Sequence, residues 1–142
     1  MTQININNRS GLRQILDDWD FNISRELNQI GDETIREIII KTRSGRDFND
    51  QPFTEYADST RLSKQRRGQR SDVVTMTDQG RMLFSFRQFV SDRVLRIFLA
   101  DRQQVAEYHQ TGTDRMPKRE FIGLSRTQIE RITSRLLDFL NI

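Results

Sequence analysis

Apolar residues recur at helical spacing from Ser10 to about Arg43. Leu12, Ile15, Leu16 and Trp19 form a first phase; Ile23, Leu27, Ile30, Ile35, Ile38 and Ile39 form a second. Ser10 reads as an N-cap, and Asp20 and Asn22 offer a break and a fresh cap between the phases. Gly31 inside such a helix costs about 1 kcal/mol relative to Ala. It reads either as a close crossing point or as a plain weak point. Ser44-Gly45 ends the helix, with Lys41 and Arg43 placed to complement the C-terminal dipole.

Residues 45–53 are turn-forming, and residues 54–68 are polar and weakly helical, with Tyr56 and Leu62 their main apolar positions. Thr75 to Gly80 opens a short helical turn with Met82 and Leu83 behind it. Alternation then predicts a strand from Leu83 to Val90, a tight turn at Ser91-Asp92 and a returning strand from Arg93 to Ala100. Leu95, Ile97 and Leu99 share one face of the second strand. Val94 and Phe98 on the other imply that both faces are partly covered, by helices or by another subunit. Phe89 interrupts the alternation and marks a bulge or a strand end.

Asp101 to Gln104 has the form of a capping box, opening a helix through Val105, Ala106 and Tyr108 that stops near Gly112. Glu120 to Leu124 suggests a short third strand. Ser125 to Gln128 is a second capping box, and Ile129, Ile132, Leu136 and Leu140 stripe the last helix, widened by Leu137 and Phe139. The fold class is therefore α+β. N-terminal helices and a C-terminal helix pack on a small antiparallel sheet, the hairpin of 83–100 plus the third strand. The whole chain, 1–142, reads as one domain: a helical region 10–43, a flexible basic segment of about 57–72, and a sheet-and-helix region 75–142.

Composition narrows the function classes. A chain of 142 residues is long enough to bury a core. No run of 18 or so apolar residues predicts a membrane span, and M-T-Q-I-N-I-N-N lacks the pattern of a secretion signal. Without cysteine there is no disulfide framework or thiolate chemistry, and the cytoplasm is the simplest compartment. Charge is uneven: residues 1–60 carry a net −4 and residues 61–142 a net +7. Only Lys41, Lys64 and Lys118 are lysines, so 20 of the 23 cations are Arg, whose planar guanidinium suits interfaces with carboxylates or phosphates. Two opposed halves permit internal pairing or head-to-tail contact between copies.

The cluster Arg61, Lys64, Arg66, Arg67 and Arg70 has electrostatic sense as a nucleic-acid site, facing DNA or an acidic partner. It lacks interleaved aromatics for stacking, so a solvated loop competes with that reading. Catalytic signals are missing. His109 is the sole histidine, which excludes a His/Cys metal site, and no nucleophile turn or phosphate-cradling glycine loop occurs. Neither an enzyme nor a cofactor is expected.

Residues 107–125, E-Y-H-Q-T-G-T-D-R-M-P-K-R-E-F-I-G-L-S, form a loop fixed at both ends, with breakers at Gly112 and Pro117. It offers His109, Arg115, Met116, Pro117, Arg119, Glu120 and Phe121 as an interface or as braces of the turn. The segments Ala106 to Gly112 and Arg115 to Ser125 resemble the tailed-bacteriophage virion morphogenesis family, also called tail completion or neck proteins. Its signature has the form YHQ-x-G … MP-x-REF-x-GLS. Gly45 to Tyr56 is similar to that family's G-x-x-F-x-G-x-P-F-x-x-Y segment, with Asp50 where glycine is usual. Thr75 to Leu83 is similar to its L-x-x-TG-x-ML segment, with Asp78-Gln79 inserted before Gly80.

The resemblance implies a non-catalytic α+β virion protein, assembled in the host cytoplasm and located in the neck of the particle. It would form a ring of identical copies, sixfold to match the tail, at the head–tail junction, completing the tail and joining it to the portal side. Its implied neighbours are the tail terminator, the connector or adaptor and the tail tube, with non-specific contact to packaged DNA. The alternative is a small basic nucleic-acid-binding protein that uses Arg61 to Arg70.

Overall fold

The computed structural model describes residues 9–76 and 80–140, with side chains from residue 17 onward. The N-terminal octapeptide, the side chains of Ser10, Leu12, Ile15 and Leu16, and residues 77–79 of the expected helical turn lie outside that description. The elements are α1 (Arg9–Arg43), α2 (Asp58–Arg66), a 3-10 turn (Leu83–Ser85), β1 (Phe86–Ser91), β2 (Val94–Leu99), α3 (Gln103–Thr111) and α4 (Arg126–Leu140). This is an α+β arrangement of four helices and a two-stranded antiparallel sheet.

Helix α1 runs unbroken through Asp20 and Asn22, so the expected recapping there does not occur. Asp20 instead turns its carboxylate to Arg93 at the hairpin tip, with Oδ1 2.8 Å from Nη2. The C-terminus closes as a Schellman turn. Gly45 takes a φ of +79°, its N–H bonds the Thr42 carbonyl at 3.0 Å, and Arg46 N–H bonds that of Lys41 at 3.0 Å. Gly31 proves to be a crossing point, but for the hairpin and not for a helix. A Cβ built there would stand 1.8 Å from Gln88 Oε1 and 3.0 Å from Leu95 Cδ1. The missing side chain lets the sheet lie directly on the helix.

The strands start later than alternation suggests, because Leu83 to Ser85 turn in a 3-10 helix before Phe86. Pairing then proceeds without a bulge from Phe86↔Leu99 to Ser91↔Val94, so Phe89 keeps its place in the ladder. The two-residue turn is Asp92-Arg93, one position beyond the expected one, and both residues have positive φ (51° and 60°). That is the backbone of a type I′ turn, whose twist matches the strands. Arg93 is held in this conformation by Asp20 and by the Trp19 ring, 5.1 Å from its guanidinium.

Two further expectations are corrected. Residues 120–124 form no strand. Their polar backbone is satisfied from elsewhere: Gln110 Nε2 donates to the Ile122 carbonyl at 2.7 Å, Ile122 N–H donates to Gln110 Oε1 at 3.2 Å, and Phe48 N–H donates to the Glu120 carbonyl at 3.1 Å. The first capping box does not form either. Arg102 is the N-cap with a φ of 60°, and the Asp101 carboxylate is spent on Arg102 N–H at 2.8 Å. Within the subunit one face of the hairpin is covered: Phe86, Gln88, Val90, Leu95, Ile97 and Leu99 turn to α1 and the core, whereas Arg87, Phe89, Val94, Arg96 and Phe98 are exposed. Of the two expected covers for the outer face, no helix supplies one among the described residues.

The second capping box forms as read. Ser125 N–H bonds Gln128 Oε1 at 2.8 Å, and Gln128 N–H bonds Ser125 Oγ at 3.3 Å. Helix α4 then lies along α1 through ionic contacts. Arg131 pairs with Glu37, Arg135 pairs with Glu26 and Glu33, and Gln128 bonds Glu37. Its stripe is only half covered, since Ile132, Leu136, Phe139 and Leu140 are half-buried while Ile129 and Leu137 are exposed. The main core is Ile38, Phe53, Val74, Met76, Met82, Leu83, Phe86, Leu99, Ala106 and Phe121.

Candidate functional site

The loop after α3 is built from the inside outward. Gly112 ends the helix with a φ of 76° and an N–H bond to the Tyr108 carbonyl at 2.8 Å. A Cβ at Gly112 would sit 3.1 Å from Lys118 N, so the returning chain passes tightly beside it. Between them Thr113 and Met116 exchange backbone bonds at 2.9 and 3.3 Å, and Thr113 Oγ1 also accepts from Met116 N–H at 3.0 Å. This local lattice makes 113–116 a small closed turn that needs little support from elsewhere. Arg115 and Pro117 stand exposed on it, and Met116 is half-buried. Lys118 pairs with Glu120 alongside.

Arg119 and Phe121 face the other way. Arg119 is buried, its N–H bonds the His109 carbonyl at 2.7 Å, Nε donates to the Thr54 carbonyl at 2.9 Å and Nη2 to that of Glu55 at 3.0 Å. A guanidinium suits this task because its rigid fork meets two successive carbonyls at once. Its carbon also lies 5.4 Å from the centre of the Tyr56 ring, and Lys64 Nζ lies 5.1 Å from that same ring. Phe121 is fully buried and meets Phe86 edge to face, with centroids 6.4 Å apart. Neither side chain is offered to a neighbour. Of the seven loop residues singled out from sequence, Arg115 and Pro117 are outward, and His109, Met116 and Glu120 are half-buried.

His109 Nδ1 has no hydrogen-bond partner among the described residues. Burial and then the nearby Arg119 charge push its pKa down to about 4, so the imidazole is neutral at pH 7. No nucleophile or carboxylate among the described residues is hydrogen-bonded to Nδ1, and the ring is half-buried. Among the described residues no group of three His, Cys, Asp or Glu side chains is placed to hold a metal ion.

The basic cluster does not face one way. Arg61 reaches Glu55 at 3.3 Å, Lys64 is buried on Tyr56, and Arg70 makes a two-pronged bond with Asp72 at 2.8 and 3.2 Å. Arg66 and Arg67 are exposed at the end of α2, where Arg67 Nε bonds the Ser63 carbonyl at 3.4 Å, and Arg70 is exposed although paired. A cleft of about 380 Å³ lies between Phe53–Tyr56, α2 and residues 71–74. Its charged lining residues Arg61, Glu55 and Asp72 all belong to the ion pairs just described.

The three segments quoted for their resemblance meet in space. Phe48 N–H bonds the Glu120 carbonyl, and the Phe48 ring covers Gly123, where a Cβ would come within 2.8 Å of it. Arg119 grips 54–55, and Phe53, Met76, Met82, Leu83, Ala106 and Phe121 share one core. Asp50, at the position where glycine is usual, has a φ of +63° and reaches Lys41 at 3.2 Å. Sequence reading missed Tyr56 as the hub for two cations and Gln110 as the brace of residue 122. No local pattern reports either, because each partner lies on a distant segment. Neither a protein-family model, nor a curated protein, nor a solved structure matches this chain.

Proposed function

We propose that the chain is a structural protein of a tailed-phage virion, a ring component of the neck that completes the tail and joins it to the portal side. The reading is carried by the outer face of the hairpin, where Phe89, Val94 and Phe98 stand exposed in one ladder between Arg87 and Arg96. Large apolar residues grouped on one exposed sheet face mark a surface made to be covered. The gathering of the three signature-like segments into one core supports the resemblance at the level of the fold unit, since those residues interact with one another.

Within this reading the chain works by binding, not by bond-making. Residues 113–116 form a small turn closed by its own hydrogen bonds, suited to seat against a neighbouring ring without first having to order. The partners are copies of the chain, the tail terminator, the connector and the tail tube. Particles assembled without this chain are expected to accumulate as filled heads and separate tails under the electron microscope. Normally joined, infectious particles in its absence would overturn the proposal.

A further inference from the structure

The uneven charge is partly spent inside the subunit. Glu26, Glu33 and Glu37 of α1 are taken by α4, and Asp20 by Arg93. What remains outward on α1 and on the hairpin is complementary. The hairpin's outer face carries the cross-strand pairs Arg87↔Phe98, Phe89↔Arg96 and Ser91↔Val94 and no carboxylate. Phe89, Val94 and Phe98 are 57%, 45% and 46% exposed. Around the fourth turn of α1, Ile23 is buried; at 3.6 residues per turn Phe21 points about 160° away from it. Phe21 is 68% exposed, with exposed Asp17 one turn before it and exposed Asp18 beside it.

We infer that the outer hairpin face of one copy receives the Asp17–Asp18–Phe21 surface of the next copy, giving a head-to-tail contact. This rests on the assembling reading above and names the surfaces it uses. The outer hairpin face turns away from α1, so Asp17, Asp18 and Phe21 cannot cover it within a chain. Between chains, each copy presents an acidic, aromatic patch on α1 and a basic, aromatic patch on the outer face of its hairpin. Repeating one such unlike contact closes into a ring when the rotation closes. Carboxylate and guanidinium set the register, while Phe21 covers the apolar ladder of Phe89, Val94 and Phe98. Arg93, Trp19 and Asp20 fix the hairpin tip on α1 and hold the two patches at a constant relation.

The test uses the full chain in sedimentation analysis at low salt. Arg87→Glu with Arg96→Glu, and separately Asp17→Arg with Asp18→Arg, should each weaken self-association about tenfold or more by setting like charges against each other. An equal mixture of the two variants should restore it, because each reversed patch then meets its complement. All four positions are exposed, so circular dichroism should be unchanged. The chain has no cysteine, which permits a second readout by oxidation. Asn22→Cys combined with Val94→Cys should give a ladder of linked chains, and either alone should give none. Undiminished association of the reversed variants, no rescue on mixing, or dimers from Val94→Cys alone would overturn the contact while leaving self-assembly standing. A wild-type chain that stays monomeric also overturns it, and the neck assignment then rests on the particle images alone.

Discussion

Arg119 and Thr54 are 65 residues apart in sequence, yet the guanidinium Nε donates to the Thr54 carbonyl at 2.9 Å, inside the protein. That bond, with its twin to Glu55, ties the loop after α3 to the segment before α2 and presses Tyr56 beneath the cation. The residue that reads from sequence as part of an interface or as a brace of the turn is, inside the subunit, a clamp. Arg119→Ala should cost roughly 3 kcal/mol of stability, from two charge-assisted bonds and a cation–π contact. Arg119→Lys should recover less than half of that, because one ammonium cannot reproduce the fork. Urea denaturation of the three proteins reads the difference. Equal stability of all three would remove the clamp.

Gly31 should be intolerant for a reason outside its helix. Gly31→Ala gains helix propensity of about 1 kcal/mol but drives Gln88 from its bonds to Asn28 and Asp32. Gly31→Val should cost roughly 2 kcal/mol by forcing the hairpin off α1. A double-mutant cycle of Gly31→Ala with Gln88→Ala should return a coupling of about 1 kcal/mol, since removing Gln88 makes room for the methyl. Additive changes would mean that the sheet does not rest on this glycine.

The clasp between α4 and α1 is ionic and capped. Gln128→Ala removes the capping-box acceptor together with the bonds to Glu37 and Lys41, and should cost about 1–2 kcal/mol. Arg135→Ala should cost about 1 kcal/mol at low salt, leaving Glu26 partly buried without its partner, and less in 1 M NaCl. Stability curves at two salt concentrations test the pair. A cost for Arg135→Ala that does not shrink with salt would place the contribution in packing instead.

The neutral His109 gives the fold a pH dependence of known sign. Its pKa falls from the usual 6.5 to about 4 on folding, so between these values the unfolded chain binds the extra proton. Stability is then lost as pH drops from about 6.5 toward 4, and the loss is complete below that. His109→Gln cannot take up the proton and should flatten this part of the profile relative to wild type. The urea midpoint of His109→Gln relative to that of wild type, followed from pH 7 to pH 4, should rise as the pH falls. A constant difference would put the imidazole in contact with solvent.

How far the sequence reaches depends on where each interaction partner lies. The α+β class, the end of α1 at Gly45, the hairpin and the Ser125–Gln128 box are local patterns and were legible. The turn slipped by one residue because Asp92-Arg93 has no glycine to announce positive φ, and Arg93 is held there by Asp20, 73 positions away. Glu120 to Leu124 has the composition of a strand, but Gln110 and Phe48 satisfy its backbone first. Lys64 reads as one more exposed cation until Tyr56 is placed beneath it. The loop's sequence marks it as special without saying that Arg119 and Phe121 point inward.

The most direct test of the assembly reading is an electron-microscopy reconstruction of the intact virion neck. The account predicts a closed ring of this chain between portal and tail tube, with Phe89, Val94 and Phe98 of each copy covered by the Asp17–Phe21 turn of its neighbour. Absence of the chain from that junction, or a ring in which the outer hairpin face remains bare, would contradict it.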